Sequence, residues 1–410
     1  MAALQSVRGT HDLLPEESLV HRFVEQTAYS VAQRYGFGEI ITPIFEFTEV
    51  FSRTLGETSD VVTKEMYTFE RSGESLTLRP EGTAGVARAF ISGGLAQSLP
   101  LKLFYRGPMF RYERPQKGRL RQFHQVGVEF LGVDSPLADV EVLSLAWRFL
   151  NELGQGPHVH LEINSLGTSS DRITYANDLR QFFSQHIDSL SDDSKTRLEK
   201  NPMRILDSKD DGDKRIVAEA PLITERLTEG QKHFDEVKRG LDKLGIPFTV
   251  NPRLVRGLDY YCHTAFEFVT TQLGAQGTVL AGGRYDGLIG QMGGPATPGI
   301  GWAAGVERLS MLVGAKSSSV RPVAIIPMGD ELAAFVVAET LRAAGVTVQL
   351  GYSGNMKKRM DRANKANARF ALILGEDEAA RGAVTVKDLD AGTQEEVALV
   401  SVVDRLRERL

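Results

Sequence analysis

Residues 110–130, FRYERPQKGRLRQFHQVGVEF, gather side chains suited to phosphate and ligand chemistry into one short stretch of this 410-residue chain. Alternation along a strand puts side chains two apart on one face. The run reads as a β-hairpin, with Arg111 and Glu113 sharing a face of its first strand. On its second strand Phe123, Gln125, Gly127 and Glu129 share one face, while Val126, Val128 and Phe130 take the other. Such a strand buries Val and Phe and presents an amide and a carboxylate, with Gly127 leaving an empty slot between them. The connecting loop carries Arg114, Lys117, Arg119 and Arg121, a basic tip suited to a polyanion. The hairpin thus offers an arginine for a phosphate and an amide and carboxylate for a cationic ligand. A surface hairpin with a solvated charged loop is the plainer alternative.

The elements around it must hold these groups in place. Residues 21–37 have apolar positions near helical spacing and stop at a glycine. EIITPIFEFTEVF reads as a strand interrupted at Pro43, hence at an edge or a bend. Residues 140–154 form an amphipathic helix ended by Gly154, and VHLEINSLG alternates as a strand. From about 169 to 247 polar, helix-forming sequence dominates. Strands resume at RLVRGLDYYCHTAFEFVT and continue past GGRYDGL. GAKSSSVRP, residues 314–322, has the composition of a linker. Beyond it VAIIPM, VTVQL, FALILG and AVTVKDL alternate with helical stretches, which implies a small α/β domain with a mostly parallel sheet.

A length of 410 residues suits two or three domains, and 42% hydrophobic with 25% charged residues is ordinary for a globular chain. The start, MAALQSVRGTHD, lacks an apolar signal core, and no apolar stretch approaches the ~18 residues of a membrane span. A cytoplasmic location is the expectation. Cys262 is the only cysteine, which excludes an internal disulfide and a cysteine cluster for zinc. The eight histidines show no metal-ligand spacing, so no protein-bound structural metal is expected. A net charge of −5 is compatible with RNA binding, because affinity depends on where cations cluster. A second cluster comprises Lys357, Lys358, Arg359, Arg362 and Lys365. On a helix, Lys358, Arg362 and Lys365 would share one face, either for RNA contact or as a solvated surface.

The hairpin run resembles motif 2 of class II aminoacyl-tRNA synthetases, and RPQKGRLRQFHQ resembles histidyl-tRNA synthetases in particular. VRGTHDLLP (7–15), LRPEGTAG (78–85), RGLDYY (256–261) and GGRYDGL (282–288) are similar to the same family, and GIGWAAGVERL (299–309) to class II motif 3. The resemblance implies an α+β catalytic domain on an antiparallel sheet, residues 1–320, with a helical insertion at about 169–247. A small α/β anticodon-binding domain, residues 321–410, would follow. It implies a histidine–tRNA ligase that activates histidine with ATP to histidyl-adenylate and transfers it to the 3′ end of tRNA(His). ATP with Mg2+ is the substrate complex. Motif 1, about residues 40–51, implies a homodimer.

In this reaction the amino acid's own carboxylate is the nucleophile, so charge neutralisation and alignment are what the protein must supply. Guanidinium groups suit that task. By resemblance Arg111 sits on the α-phosphate, Glu113 reaches the adenine amino group, and Arg308 packs on the adenine and touches the γ-phosphate. Gly299, Gly301 and Gly305 would let the backbone approach the nucleotide, although close packing explains them equally well. Arg256 would be a second α-phosphate cation. Glu81, Thr83 and Gln125 resemble the set that holds the ammonium. Glu129 and Tyr261 resemble the pair that addresses the imidazole, with Tyr260 beside them in the histidine-binding set. Arg114 and Gln116 would meet the tRNA acceptor end, and Tyr285 falls near the histidine pocket without a role. Arg8 and Asp12 match the family without an assigned ligand. A catalytically dead paralogue serving histidine biosynthesis is the competing reading. The retained arginines, the RPQKGR loop and the extra C-terminal domain weigh against it.

Overall fold

The hairpin lies in the middle of an eight-stranded sheet in the computed structural model, which describes residues 4–56, 59, 61–274, 277–314 and 320–409. Two units divide the chain, residues 1–317 and 318–410. The strands of the first are β1 (Gly38–Glu39), β2 (Phe45–Phe47), β3 (Tyr67–Arg71), β4 (Glu74–Leu78), β5 (Leu101–Phe110), β6 (Gln122–Leu131), β7 (His160–Ser165), β8 (Thr249–Val250), β9 (Cys262–Val269), β10 (Thr278–Arg284) and β11 (Gly299–Gly305). The large sheet runs β1-β5-β6-β11-β10-β9-β7-β8. Its inner pairings are antiparallel, and the short edge strands β1 and β8 pair parallel. This is the antiparallel α+β architecture expected.

The hairpin itself is shifted. β5 ends at Phe110, paired with Gln122, so Arg111 and Glu113 stand in the connecting loop and not on the first strand. The second strand keeps its alternation: Val126, Val128 and Phe130 enter the main core with the helices Pro15–Arg34 and Pro136–Glu152. Ser135 caps the latter helix and Pro136 occupies its first position, a favoured start. With helices covering one face of the sheet, the other face is left for the site.

The run around Pro43 does not form one strand. β1 joins the large sheet, β2 joins a three-stranded sheet with β3 and β4, and a short helix begins at Thr48. The β3–β4 hairpin turns on Ser72 and Gly73, both at positive φ. RLVRGLDYY is not a strand either; residues 251–261 are irregular and β9 begins at Cys262. Between β7 and β8 lie four helices, Ser169–Ser184, Asp192–Lys200, Asp211–Val217 and Glu229–Lys243. The first three share an apolar cluster of their own, including Tyr175, Leu179, Leu198 and Val217. The fourth places Phe234, Val237 and Leu241 in the sheet's core.

In the second unit the strands are β12 (Val323–Pro327), β13 (Val348–Leu350), β14 (Phe370–Leu374), β15 (Ala383–Asp388) and β16 (Gln394–Ala398), in the order β13-β12-β14-β15-β16. Only the two pairings of β12 are parallel; β14–β15 and β15–β16 are antiparallel. The sheet is mixed because β15 runs back against β14 and the polar run QEEVA folds back on β15 as a hairpin edge. Residues 315–319, most of the linker, lie outside the described residues, as do 57, 58 and 60. No helix among the described residues is long and apolar enough to cross a membrane.

Candidate active site

The other face of the sheet, covered in part by the helix Thr83–Ser92, carries a row set by register: Gln125 opposite Gly305, Gly127 opposite Ala303, and Glu129 opposite Gly301. Small residues on β11 leave room above the sheet, and a cleft of about 480 Å³ opens there. Arg111, Glu113, Glu81, Thr83, Gln125, Arg256, Tyr260, Tyr261 and Arg308, drawn from five separate stretches of chain, all line it.

Glu129 lies beneath this lining, 1% exposed. Its Oε1 accepts from the Thr83 hydroxyl at 2.7 Å, and its Oε2 accepts from the Tyr285 hydroxyl. Tyr285, which had no role from sequence, is thus one of two donors that orient the carboxylate. Burial pushes the Glu129 carboxyl up to about 8, against the pull of Thr83 and Tyr285. The slot above Gly127 is filled: the Tyr105 ring, directly across on β5, occupies the space a Cβ would need. Its hydroxyl is buried beside Glu129 and Thr83, and burial holds its pKa well above the ordinary value.

Glu81 stands at the start of the helix Thr83–Ser92, where its oxygens accept from the backbone amides of Thr83 and Ala84 at 2.7 Å each. Those bonds and the helix terminus favour the carboxylate, yet burial raises its pKa. Gln125 turns a buried Oε1 without a hydrogen-bond partner toward the same space. Such a group calls for a donor.

The glycines of β11 serve side chains first. A Cβ at Gly301 would overlap the Glu129 carboxylate, and one at Gly299 would overlap the Tyr285 ring. Gly305 alone of the three leaves open space, with Arg308 at 3.8 Å. Gly301 and Gly305 both line the cleft.

Three arginines line the same cleft. Arg111 Nε donates to Pro80 O at 2.9 Å, and burial lowers its pKa against the pull of Glu65 and Glu81. Arg256 pairs with Glu267; burial works against its charge most strongly, but Glu267, Tyr261 and Tyr260 together outweigh it and the pKa is raised. Arg308 donates to Gly118 O at 3.1 Å and Thr278 O at 2.6 Å. Glu113 is buried against Arg119. Arg121 lies over the Tyr112 ring, 3.9 Å from its centroid, and donates to Glu113 O and Arg8 O. The basic tip thus shrinks to Arg114 and Lys117, which are exposed. Gln116 faces a second cavity, of about 310 Å³, on the side of His11 and His21. The segment with Arg8 and Asp12 packs on this loop, with Arg121 N donating to Gly9 O, outside the cleft.

Sequence reasoning missed Glu267, Asp207 and Lys209, which also line the cleft. Glu267 could have been suspected from the alternation of β9; the other two come from the helical segment and carry no motif. It also missed a grouping of His21, His124 and Glu307, whose donor atoms lie within 4.8 Å of one another. Glu307 is already engaged there, accepting from the His124 backbone amide and lying 2.8 Å from its Nδ1.

An antiparallel sheet bearing a buried two-carboxylate pocket beside a triad of arginines, with a separate mixed-sheet unit downstream, is the arrangement of a class II aminoacyl-tRNA synthetase. Residues 9–309 match the family model described as Histidyl-tRNA synthetase, and residues 322–409 the one described as Anticodon binding domain. The chain is 65% identical to a histidine–tRNA ligase of Rhodospirillum rubrum, over 97% of each chain. It is 56% identical to that of Gluconacetobacter diazotrophicus, over 99% of each. Among solved structures, apo histidyl-tRNA synthetase of S. aureus superposes with a TM-score of 0.82 at 35% identity, covering 98% of this chain and 99% of that one. The chain belongs to the histidyl-tRNA synthetase family.

Proposed function

We infer that this chain is an ATP-dependent histidine–tRNA ligase, which forms histidyl-adenylate and passes the histidyl group to the 3′ end of tRNA(His). One observation carries the reading: a single cleft gathers the partnerless Gln125 oxygen and the Glu81 carboxylate together with three arginines. That suits an ammonium-bearing zwitterion laid against a polyphosphate. The ammonium is held by Glu81, Thr83 and Gln125. The imidazole reaches the floor, where Glu129, oriented by Thr83 and Tyr285, accepts its N–H and Tyr261 addresses its second nitrogen, with Tyr260 packed alongside, 4.5 Å between the two ring centroids. A ligand lacking those nitrogens would leave buried polar groups unpaired, a larger penalty than a lost methylene.

An oxygen of the histidine carboxylate attacks the α-phosphorus, and the bond to the bridging oxygen breaks as pyrophosphate leaves. Arg111 and Arg256 stabilise charge as it develops on the α-phosphate; Arg308 takes the adenine face and the γ-phosphate, and Glu113 the adenine amino group. ATP enters as its Mg2+ complex, and Glu267 and Asp207 are cleft carboxylates of the donor type that would hold such an ion. The exposed Arg114 and Gln116 meet the acceptor end, and the unit after 321 reads the anticodon. Ile41, Phe45, Phe47 and Phe69 are exposed around β2 and β3, a patch that suits a two-fold homodimer contact. A cytoplasmic site of action fits the chemistry. Histidine-dependent exchange of pyrophosphate into ATP tests the reading. Its absence from folded protein would favour the role named for one fold neighbour, an ATP phosphoribosyltransferase regulatory subunit/histidyl-tRNA synthetase from Bacillus halodurans.

A further inference from the structure

The irregular segment 252–261 carries Arg256, Tyr260 and Tyr261, yet it has little structure of its own. Among the described residues, no backbone amide from 255 to 261 donates to a backbone carbonyl. Its shape is imposed from outside. Arg204 Nε and Asn201 Nδ2 both donate to Asp259 Oδ1, at 2.9 and 3.0 Å, and Arg204 Nη1 reaches Gly257 O. Arg172 donates to Tyr261 O at 2.7 Å and to Asp259 O at 3.1 Å. All three donors belong to the helical segment that has its own apolar cluster, separate from the sheet's core. Gly56 closes the remaining side, since a Cβ there would overlap the Asp259 carboxylate.

We propose that the helical insertion is a positioning module for the adenylation site, holding the 252–261 segment in its productive shape through a polar clasp on Asp259. Arg204, Arg172 and Asn201 are its positioning residues; none of them lines the cleft. The inference rests on the ligase reading above and deepens it. The reasoning is geometric. Arg256 must meet the α-phosphate and Tyr261 the imidazole, and both sit within five residues of Asp259. A displacement of about 1 Å at reacting groups costs on the order of a hundredfold in rate. The clasp itself is made of charged and amide groups, the kind of junction across which packed units move relative to each other. Whatever shifts the insertion therefore changes the rate of adenylate formation from outside the pocket.

The test uses the full-length chain with Arg204→Ala, Arg204→Lys, Asp259→Ala and the double variant Arg204→Ala/Asp259→Ala. Thermal melting establishes folding, and pre-steady-state adenylate formation and histidine affinity are measured separately. The expected result is a rate of adenylate formation reduced about a hundredfold in either alanine variant, partial recovery with lysine, and a double variant no slower than the slower single. Adenylate formation at the wild-type rate in folded Arg204→Ala overturns the proposal, as does a double loss equal to the product of the singles. Should Arg204→Ala not fold, Arg204→Lys and Asn201→Ala carry the test, and wild-type rates in both overturn it. A wild-type chain without exchange activity would instead sink the ligase reading, so the two failures are distinct.

Discussion

With the imidazole on Glu129 as proposed, the buried carboxyl should make histidine binding a proton-coupled event. With its pKa pushed up to about 8 by burial, about three-quarters of the free chain carries the neutral acid at pH 7.5. An imidazole N–H arriving as a third donor, after the Thr83 and Tyr285 hydroxyls, favours the carboxylate. Binding should then expel up to about 0.75 proton per site at pH 7.5. The free ligand's own imidazole, with an ordinary pKa of about 6.5, adds only about a tenth of a proton at that pH. Calorimetry of histidine binding in buffers of different ionisation enthalpy reads this number directly. Glu129→Gln removes the titrating group while keeping its shape, and also offers the ring a donor where an acceptor stood. That variant should bind histidine more weakly, leave ATP binding near normal, and show proton release close to the ligand's own share. A buffer-independent binding enthalpy in the wild-type chain, or equal release in the variant, refutes the reasoning. The same group acts on stability with a definite sign. The raised pKa stabilises the fold fully below the ordinary carboxylate range, and this contribution is lost as pH climbs through about 8. The slope is about 1.4 kcal/mol per pH unit between the two values, and Glu129→Gln should flatten it in melting curves of the free chain.

Arg256→Ala should slow pyrophosphate exchange a hundredfold or more, about 3 kcal/mol, with histidine affinity by calorimetry largely kept. Arg284 and Asp139 form a fully buried ion pair, with His233 Nε2 3.1 Å from the same carboxylate; Arg284→Met should cost about 3–5 kcal/mol, seen as a lowered midpoint in urea. Removing residues from 321 onward should preserve exchange and depress tRNA charging, with a shallower salt dependence of tRNA binding. Light scattering should report a dimer, and a charge at the exposed Ile41 should yield monomer.

Much of the site was legible in the order of residues along β6, because a strand with one buried face must alternate and cannot slip by one without reversing its faces. What lay across from that strand was not. Tyr105 fills the space above Gly127 only because register sets them opposite, and no local pattern announces a register. Arginines misled in the same way. Arg119 and Arg121 look like tip residues, but Glu113 and Tyr112 capture them. In the second unit Arg359 looks like part of an RNA-facing cluster, but its guanidinium is tied to Pro327 O and Glu331 while Lys357, Lys358 and Lys365 stay exposed. A long cation near a carboxylate finds it, and that partner is invisible in sequence. The stretch RLVRGLDYY mimics a strand through its apolar spacing; donors from 50 to 90 positions earlier hold it otherwise.

Glu129 touches Thr83 from the start of one helix, Tyr285 from just past the end of β10, and Gly301 from β11. Each contact constrains what mutation can do next. Replacing Glu129 with a smaller residue strands two hydroxyl donors in a dry pocket, and replacing Gly301 first drives a methyl into the carboxylate. Converting Thr83 or Tyr285 alone frees a carboxylate oxygen that water cannot easily reach. A single substitution at any of these four positions thus leaves a buried polar atom unpaired or drives atoms together. Glu129, Thr83, Tyr285 and Gly301 therefore behave as one unit, and reshaping the pocket at one of them requires changing its partners in the same step.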